Sequence, residues 1–190
     1  MKMQQKNVYT NVIMAGFGGQ GLMFIGKLLA YSAMTRGLNV TWIPSYGPEM
    51  RGGTANCTVV ISNEPIGSPV ISAPESLIIM NNPSLEAFEP KLQAGGLLFV
   101  NNNLVTRQVQ RKDVRLIAIP ANDAATRSGE KRAANMVMLG AYVATTSIVT
   151  RQDIAKGFEN FFGAKSEYLD VNMKAFQEGM KYAQAGVGCS

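Results

Sequence analysis

The sequence NVIMAGFGGQG, residues 11–21, places an apolar segment directly before a turn that is rich in glycine. The residues that follow, 22 to about 36, carry apolar side chains at helical spacing. A strand, a tight turn and a helix start bring several backbone N–H groups to one point, where the partial positive charge of the helix end also lies. This stretch therefore predicts the first unit of an α/β fold, with a place for an anion at its turn.

The glycine spacing raises the question of a dinucleotide site, because Gly16-x-Gly18-x-x-Gly21 matches the dinucleotide-binding pattern. Such a site needs an acidic residue about 20 positions later, at the end of the second strand, to hold the ribose hydroxyls. The second predicted strand, 39–43, runs into Pro-Ser-Tyr, and no Asp or Glu occurs between Gly21 and Glu49. Arg51 is also too late to hold an NADP phosphate. The sequence argues against an NAD, NADP or FAD site.

Strands and helices alternate along the whole chain, which predicts a mostly parallel sheet flanked by helices. The strand candidates are 8–15, 39–43, 54–62, 77–80, 97–100 and 114–119. The helix candidates are 21–36, 84–92, 124–128, 135–148, 150–162 and 166–184, so the C-terminal part is helical. Thr150-x-x-Asp153 resembles a capping box with Asp in the position of Glu. We predict a single α/β domain, residues 1–190, with a Rossmann-like first βαβ unit.

Composition narrows the classes of function. Only 16% of the 190 residues are charged and 46% are hydrophobic, which suggests that other subunits cover part of the surface. The formal charge is +5, but Lys and Arg are scattered and not interleaved with aromatics, so no nucleic acid is expected as a partner. No apolar run reaches the roughly 18–20 residues that cross a membrane. Residues 1–6 lack the apolar centre of a signal peptide, so we expect a cytoplasmic protein with no membrane partner.

The residues that most often carry metal and acid–base chemistry are scarce. Histidine is absent, and Cys57 and Cys189 are the two cysteines, too few for a four-cysteine iron–sulfur or zinc site. Cys57 lies in an alternating strand and is predicted to be a small buried hydrophobe. We therefore predict no catalytic residue and no metal site in this chain.

Two motifs in order give the chain a resemblance to a known family. They are GFGGQG at residues 16–21 and SYGPEMRGG at residues 45–53, supported by NMVMLG at residues 135–140. Together they resemble the gamma subunit of 2-oxoacid:ferredoxin oxidoreductases, over roughly residues 8 to 180. Within that family, residues 48–57 look most like the 2-oxoglutarate and branched-chain 2-oxoacid enzymes.

The resemblance implies a reaction in which a 2-oxoacid, coenzyme A and oxidised ferredoxin give acyl-CoA, carbon dioxide and reduced ferredoxin. It also implies partners: alpha and beta subunits that hold thiamine diphosphate, a ferredoxin-like subunit that holds iron–sulfur clusters, and ferredoxin. The Gly-Asp-Gly segment usual in thiamine sites does not occur here. We therefore expect this chain to bind none of these cofactors alone and to act as part of an oxidoreductase complex, with coenzyme A as co-substrate.

Two groups of residues form the candidate site. A phosphate of coenzyme A is expected at Gly16, Gly18, Gly19, Gln20 and Gly21, although tight packing of a helix on a strand would also explain the glycines. The second group follows the second predicted strand, where α/β proteins place their sites, and is expected to line the active site or an interface; it comprises Ser45, Tyr46, Gly47, Glu49, Arg51 and Gly52.

Other assignments stay open on the sequence alone. Asn81-Asn82 and Asn101 to Asn103 follow strand ends, where Asn commonly turns the chain, and their spacing does not assign them a ligand. Asn135 begins an apolar helix and has no assignable chemistry. A free-standing nucleotide-binding oxidoreductase and a purely structural assembly subunit remain the alternatives to the main interpretation.

Overall fold

The computed structural model describes residues 8–47, 53–162 and 167–185 of the chain. The strands in these ranges are β1 (Tyr9–Phe17), β2 (Asn39–Tyr46), β3 (Thr54–Ser62), β4 (Ser76–Ile79), β5 (Leu97–Asn101) and β6 (Arg115–Ile119). The α-helices are α1 (Leu22–Met34), α2 (Asn82–Phe88), α3 (Ala121–Ser128), α4 (Ala134–Thr146), α5 (Arg151–Phe162) and α6 (Glu167–Ala185). The predicted alternation is confirmed, with boundaries shifted by a few residues.

The six described strands form one sheet in the order β2-β3-β1-β4-β5-β6. β1 pairs in parallel with β4, β4 with β5, and β5 with β6. β3 is antiparallel to both of its neighbours, β1 and β2, and is therefore the strand of these six that runs in the opposite direction. The mostly parallel α/β sheet that the sequence predicts is confirmed.

The first βαβ unit contains an inserted strand. β1, α1 and β2 follow one another along the chain and both strands run the same way, but β3 lies between them in the sheet. The insertion leaves β2 at the edge of the sheet. Pro44 is tolerated in this strand because no further strand needs a hydrogen bond from the N–H that proline lacks. The second strand therefore continues through Ser45 to Tyr46, and the prediction that it ends at residue 43 is wrong.

Helices cover the sheet on both faces and enclose two separate cores. On one face, Val12 and Met14 of β1 pack with residues of α1, α3, α4, α5 and α6. On the other face, Ile13 and Ala15 pack with Leu85 of α2, because successive residues of a strand point to opposite sides. α1 and α2 thus lie on opposite faces of the sheet, on either side of the junction between β1 and β4.

The C-terminal helices are held by close packing and by capping. A Cβ on Gly140 of α4 would overlap the backbone of Phe176, and a Cβ on Gly179 of α6 would overlap that of Val137. The predicted capping box at the start of α5 is confirmed by reciprocal bonds between Thr150 and Asp153. Within the described ranges no helix has both the length and the apolar character needed to span a membrane.

Candidate functional site

The glycine turn connects the carboxyl end of β1 to the start of α1. Gly19 and Gly21 have φ values of 98° and 75°, in the left-handed region that favours glycine. Gly21 is the N-cap of α1, and no side chain accepts a hydrogen bond from the first N–H groups of that helix. The first turn of α1 also carries no acidic residue. The end of the helix therefore keeps its unpaired donors and its partial positive charge.

Gln20 stabilises the turn from within. Its Oε1 accepts a hydrogen bond from the N–H of Phe17 over 2.7 Å, and its Nε2 donates to the carbonyl oxygen of Met80 over 3.2 Å. A Cβ on Gly16 would overlap the Gln20 side chain and approach Met80. Gly16 and Gln20 therefore hold the ends of β1 and β4 together. This is the packing role that the sequence analysis gave as the alternative to phosphate binding.

Gly18 joins the two sequence motifs. Its N–H donates to the carbonyl oxygen of Gly53 over 2.9 Å, so the end of the second motif lies directly against the glycine turn. Gly47, at the start of that motif's turn, donates from its N–H to the carbonyl oxygen of Thr54 over 2.8 Å. Two segments that are 35 positions apart in the sequence thus form one surface.

A cavity of about 290 Å³ lies at this junction. It is lined by residues of both segments: Phe17, Gly18, Gly19, Gly21, Leu22, Met23, Phe24, Tyr46 and Ala55. Among the described residues, no internal acceptor binds the N–H groups of Gly19, Gly21, Leu22 or Met23. Several unpaired donors beside a cavity at a helix start are the arrangement that suits an anionic group such as a phosphate.

The second motif is divided between strand, turn and residues outside the described ranges. Ser45 and Tyr46 belong to β2, and Tyr46 is exposed while it lines the cavity. Gly47 follows the strand. Glu49, Arg51 and Gly52 lie outside the described residues.

Asn135 is the residue of this site that the sequence analysis could not assign. It is 7% exposed and lies at the start of α4, and its Nδ2 donates to the carbonyl oxygen of Gly21 over 3.1 Å. A Cβ on Gly21 would overlap the Asn135 amide. The sequence feature that could have indicated this role is the motif NMVMLG, in which Asn135 is a polar residue in the first turn of an otherwise apolar helix.

The asparagines at the strand ends accept hydrogen bonds from backbone N–H groups of segments that lie later in the chain. Asn101 Oδ1 accepts from the N–H of Ala121 over 3.2 Å, and Asn103 Oδ1 accepts from the N–H of Asn122 over 2.9 Å. These bonds satisfy donors in the first turn of α3. Asn82 Oδ1 accepts from the N–H of Thr106 over 3.0 Å. Asn101 also bonds within its own turn, as the turn interpretation predicts, since its Oδ1 accepts from the N–H of Asn103 over 3.3 Å.

Cys57 is fully buried against the start of α1, and its thiol donates to the carbonyl oxygen of Leu22 over 3.5 Å. Burial raises the pKa of the thiol to about 12, although the neighbouring Trp42 lowers it. The prediction of a small buried hydrophobe is confirmed. In the part of the chain that the structure describes, no group of three or more His, Cys, Asp or Glu residues could hold a metal ion.

A larger cavity, about 580 Å³, lies at the opposite end of β1, beside Thr10, Arg36 and Ser147. The Arg36 guanidinium there already donates to the carbonyl oxygen of Ile148 over 3.0 Å, and its Nε lies 3.9 Å from Asp153 Oδ2. The cavity lies at the amino end of β1, and the Arg36 guanidinium beside it already has protein partners. It is therefore a weaker candidate for a ligand site than the cavity at the glycine turn.

Comparison with known proteins gives a consistent family. Residues 11–182 match the family described as pyruvate ferredoxin/flavodoxin oxidoreductase. The chain is 36% identical over 177 residues to ketoisovalerate oxidoreductase subunit VorA of Methanothermobacter thermautotrophicus, covering 93% of this chain and 37% of VorA. It is 33% identical over 183 residues to 2-oxoglutarate synthase subunit KorC of Methanothermobacter marburgensis, covering 90% of this chain and 95% of KorC.

A solved structure shows the same fold. The gamma subunit of keto/oxoacid ferredoxin oxidoreductase from Geobacter sulfurreducens superimposes with a TM-score of 0.79 at 30% identity, covering 93% of this chain and 99% of that one. The chain thus spans little more than a third of the VorA relatives but nearly all of KorC and of the Geobacter subunit.

Proposed function

Because this chain belongs to the pyruvate ferredoxin/flavodoxin oxidoreductase family, we propose that it is the gamma-type subunit of a 2-oxoacid:ferredoxin oxidoreductase. The observation that carries the proposal is the family match over residues 11–182, together with relatives such as KorC that it covers almost completely. The same match supports the assignment of residues 1–190 to a single gamma-type domain. The names of the relatives favour 2-oxoglutarate or a branched-chain 2-oxoacid as the substrate of the complex.

The proposed complex converts a 2-oxoacid, coenzyme A and oxidised ferredoxin to acyl-CoA, carbon dioxide and reduced ferredoxin in the cytoplasm. Alpha and beta partners would hold thiamine diphosphate, which supplies the electron sink for decarboxylation, and a ferredoxin-like partner would hold the iron–sulfur clusters. In this proposal the chemical steps belong to the cofactors of the partner subunits. The part of this chain is to bind and to position.

The binding part falls to the cavity at the glycine turn. The unpaired N–H groups of Gly19, Gly21, Leu22 and Met23, at a helix end without acidic residues, suit a phosphate of coenzyme A. Gly18 is engaged with Gly53 and Gln20 with Phe17 and Met80, so these two residues shape the cavity instead of donating into it. We therefore propose that the phosphate binds at the second half of the turn, from Gly19 to the start of α1, and not along the whole turn.

The subunit proposal is tested by isolating the full-length chain, tagged, from its native cell. We expect alpha, beta and ferredoxin-like chains to copurify, with thiamine diphosphate and iron in the complex and ferredoxin reduction that depends on a 2-oxoacid and coenzyme A. A chain that purifies without partners, or a complex that reduces ferredoxin at the same rate without coenzyme A, would contradict the proposal.

A further inference from the structure

The two edges of the six-stranded sheet differ in whether they can accept a further strand. β2 forms one edge and carries Pro44, whereas β6, Arg115–Ile119, forms the other edge and contains no proline. An unpaired edge strand can pair with a strand of another chain, and proline is one of the residues by which proteins prevent such pairing. The outer side of β6 is therefore open to a further strand.

Two residues of β6 direct their backbone groups towards this open edge. The N–H of Arg115 donates to the carbonyl oxygen of Gly96, just before β5, over 2.9 Å. Successive residues of a strand point their N–H and C=O groups to alternate sides, so those of Leu116 and Ala118 point away from β5. Within the described ranges β6 pairs with β5 alone, and no other backbone or side-chain group bonds to these N–H and C=O groups. They are the groups with which a further strand would pair.

The side chains of the same two residues extend an apolar surface to this edge. In the parallel register, Leu116 lies beside Leu98 and Ala118 lies beside Val100. Leu98 and Val100 are buried in the core that contains Leu85 of α2, whereas Leu116 is 46% exposed and Ala118 is also exposed. The layer that covers β4 and β5 on this face of the sheet therefore leaves the side chains of Leu116 and Ala118 accessible to another chain.

The charge beside the open edge is positive. Residues 107–115, which lead into β6, contain four cationic side chains and a single carboxylate, Asp113. Two of the four cations form ion pairs, one of them with Asp113. Lys112 and Arg115 are exposed, and neither side chain has an ion pair or a hydrogen bond in the part of the chain that the structure describes. Because complementary charge selects binding partners, this edge favours an acidic segment.

We infer that the open edge of β6 binds an extended, acidic segment of a partner subunit as an additional strand of the sheet. The inference rests on the proposed function, because it requires a complex. The backbone of the segment pairs with Leu116 and Ala118, its apolar side chains pack on the same two residues, and its carboxylates lie near Lys112 and Arg115. A second copy of this chain, with a formal charge of +5, would bring more positive charge to this edge, so a different, acidic chain is favoured.

The test measures how tightly the full-length chain binds the complex of its partner subunits, by biolayer interferometry at several salt concentrations. Ala118→Pro removes an outward N–H that β5 does not use, and Ala118→Ser is the matched control because it keeps that N–H. We expect Ala118→Pro to weaken binding about 5- to 10-fold at every salt concentration, as for the loss of main-chain hydrogen bonds. Ala118→Ser should bind like the unchanged chain.

A second pair of variants tests the charge. K112E/R115E should weaken binding about tenfold or more at low salt, and the loss should shrink as the salt concentration approaches about 1 M. K156E/K174E makes the same change of charge at exposed positions on α5 and α6 and should have a much smaller effect. Because Lys112 and Arg115 are exposed, this pair decides the matter even if circular dichroism shows that Ala118→Pro does not fold.

Three results would overturn the inference. If the unchanged chain binds its partners and both Ala118→Pro and K112E/R115E bind equally well, the β6 edge is not the interface and the proposed function survives. If the unchanged chain forms dimers in analytical ultracentrifugation and Ala118→Pro is monomeric while partner binding is kept, a second copy occupies the edge. If the unchanged chain binds no partner subunit, the proposed function itself fails and the inference fails with it.

Discussion

The amide of Asn135 donates a hydrogen bond to the carbonyl oxygen of Gly21 over 3.1 Å, across 114 positions of the sequence. The same carbonyl accepts from the N–H of Ile25 in the first turn of α1. The start of α4 therefore fixes the start of α1 and, with it, the orientation of the unpaired donors at the glycine turn. This bond explains why a buried asparagine lies in the first turn of the otherwise apolar helix α4.

Asn135→Ala should destabilise the chain by about 1 kcal/mol, since it removes a buried hydrogen bond while the Gly21 carbonyl keeps its bond from Ile25. Urea unfolding measures the change, with an unaltered m-value showing that the unfolding transition is the same. Asn172→Ala is the matched control, because the Asn172 amide donates to the carbonyl oxygen of Tyr168 within its own helix. Equal effects of the two substitutions would show that the bond to Gly21 contributes nothing.

Gly21→Ala and Gly37→Ala form a pair that separates strain from overlap. Both glycines have φ 75°, so each alanine should lose roughly 1–2 kcal/mol to left-handed strain. A Cβ on Gly37 meets nothing within 4 Å, whereas one on Gly21 overlaps Asn135. Gly21→Ala should therefore cost about 1–3 kcal/mol more than Gly37→Ala in equilibrium unfolding. An equal loss of stability for both variants would mean that the Asn135 side chain moves away from the added Cβ without cost.

Gly140→Ala and Gly179→Ala should each destabilise the chain by about 3 kcal/mol or more, because the added carbon must displace the backbone of the opposing helix. Gly67→Ala is the control, since its Cβ would lie in open space and its φ is not positive. Thermal unfolding compares the three. Small, equal shifts in Tm would contradict the close contact between α4 and α6.

The start of α5 makes stability depend on pH. Burial raises the pKa of Asp153, but the hydrogen bonds from Thr150 and the charges of Arg36 and Lys156 outweigh it, so the pKa is lowered. A carboxyl whose folded pKa is depressed stabilises the fold above its ordinary pKa near 3.9, and this contribution disappears as the pH falls through the lower folded value.

Asp153→Asn should therefore cost about 1 kcal/mol at pH 7, and the difference from the unchanged chain should shrink below about pH 4. Unfolding by urea at a series of pH values measures it. A difference that stays constant from pH 7 to pH 3 would show that the charge of Asp153 has no part in the cap.

The sequence predicted most of the architecture, because each helix and strand shows its own spacing of apolar residues and has turn or capping residues at its ends. The glycine turn marked the junction of β1 and α1, and alternation marked β3 at its observed bounds. The position of β3 between β1 and β2 could not be predicted, since strand order depends on pairing across the sheet and alternation carries no information on direction. The extension of β2 through Pro44 was not predicted, because a proline is tolerated within a strand only at the edge of a sheet and the sequence does not show which strand is at the edge.

The candidate site was predictable in outline and not in its contacts. The sequence singled out both motifs, but the bond from Gly18 to Gly53, which brings them together, was not predicted. The inward bonds of Gln20 and the role of Asn135 depend on distances between residues that are remote in sequence.

We propose that the second half of the glycine turn binds a phosphate of coenzyme A. The most direct measurement compares the intact complex with its Gly19→Val variant in two assays: KM for coenzyme A, and single-turnover release of carbon dioxide from the 2-oxoacid without coenzyme A. Gly67→Val is the control for a glycine in open space away from the turn. If the turn binds the phosphate, the variant should show a KM for coenzyme A raised about tenfold or more, with carbon dioxide release unchanged. An assembled variant with an unchanged KM would contradict it and leave the turn a packing device.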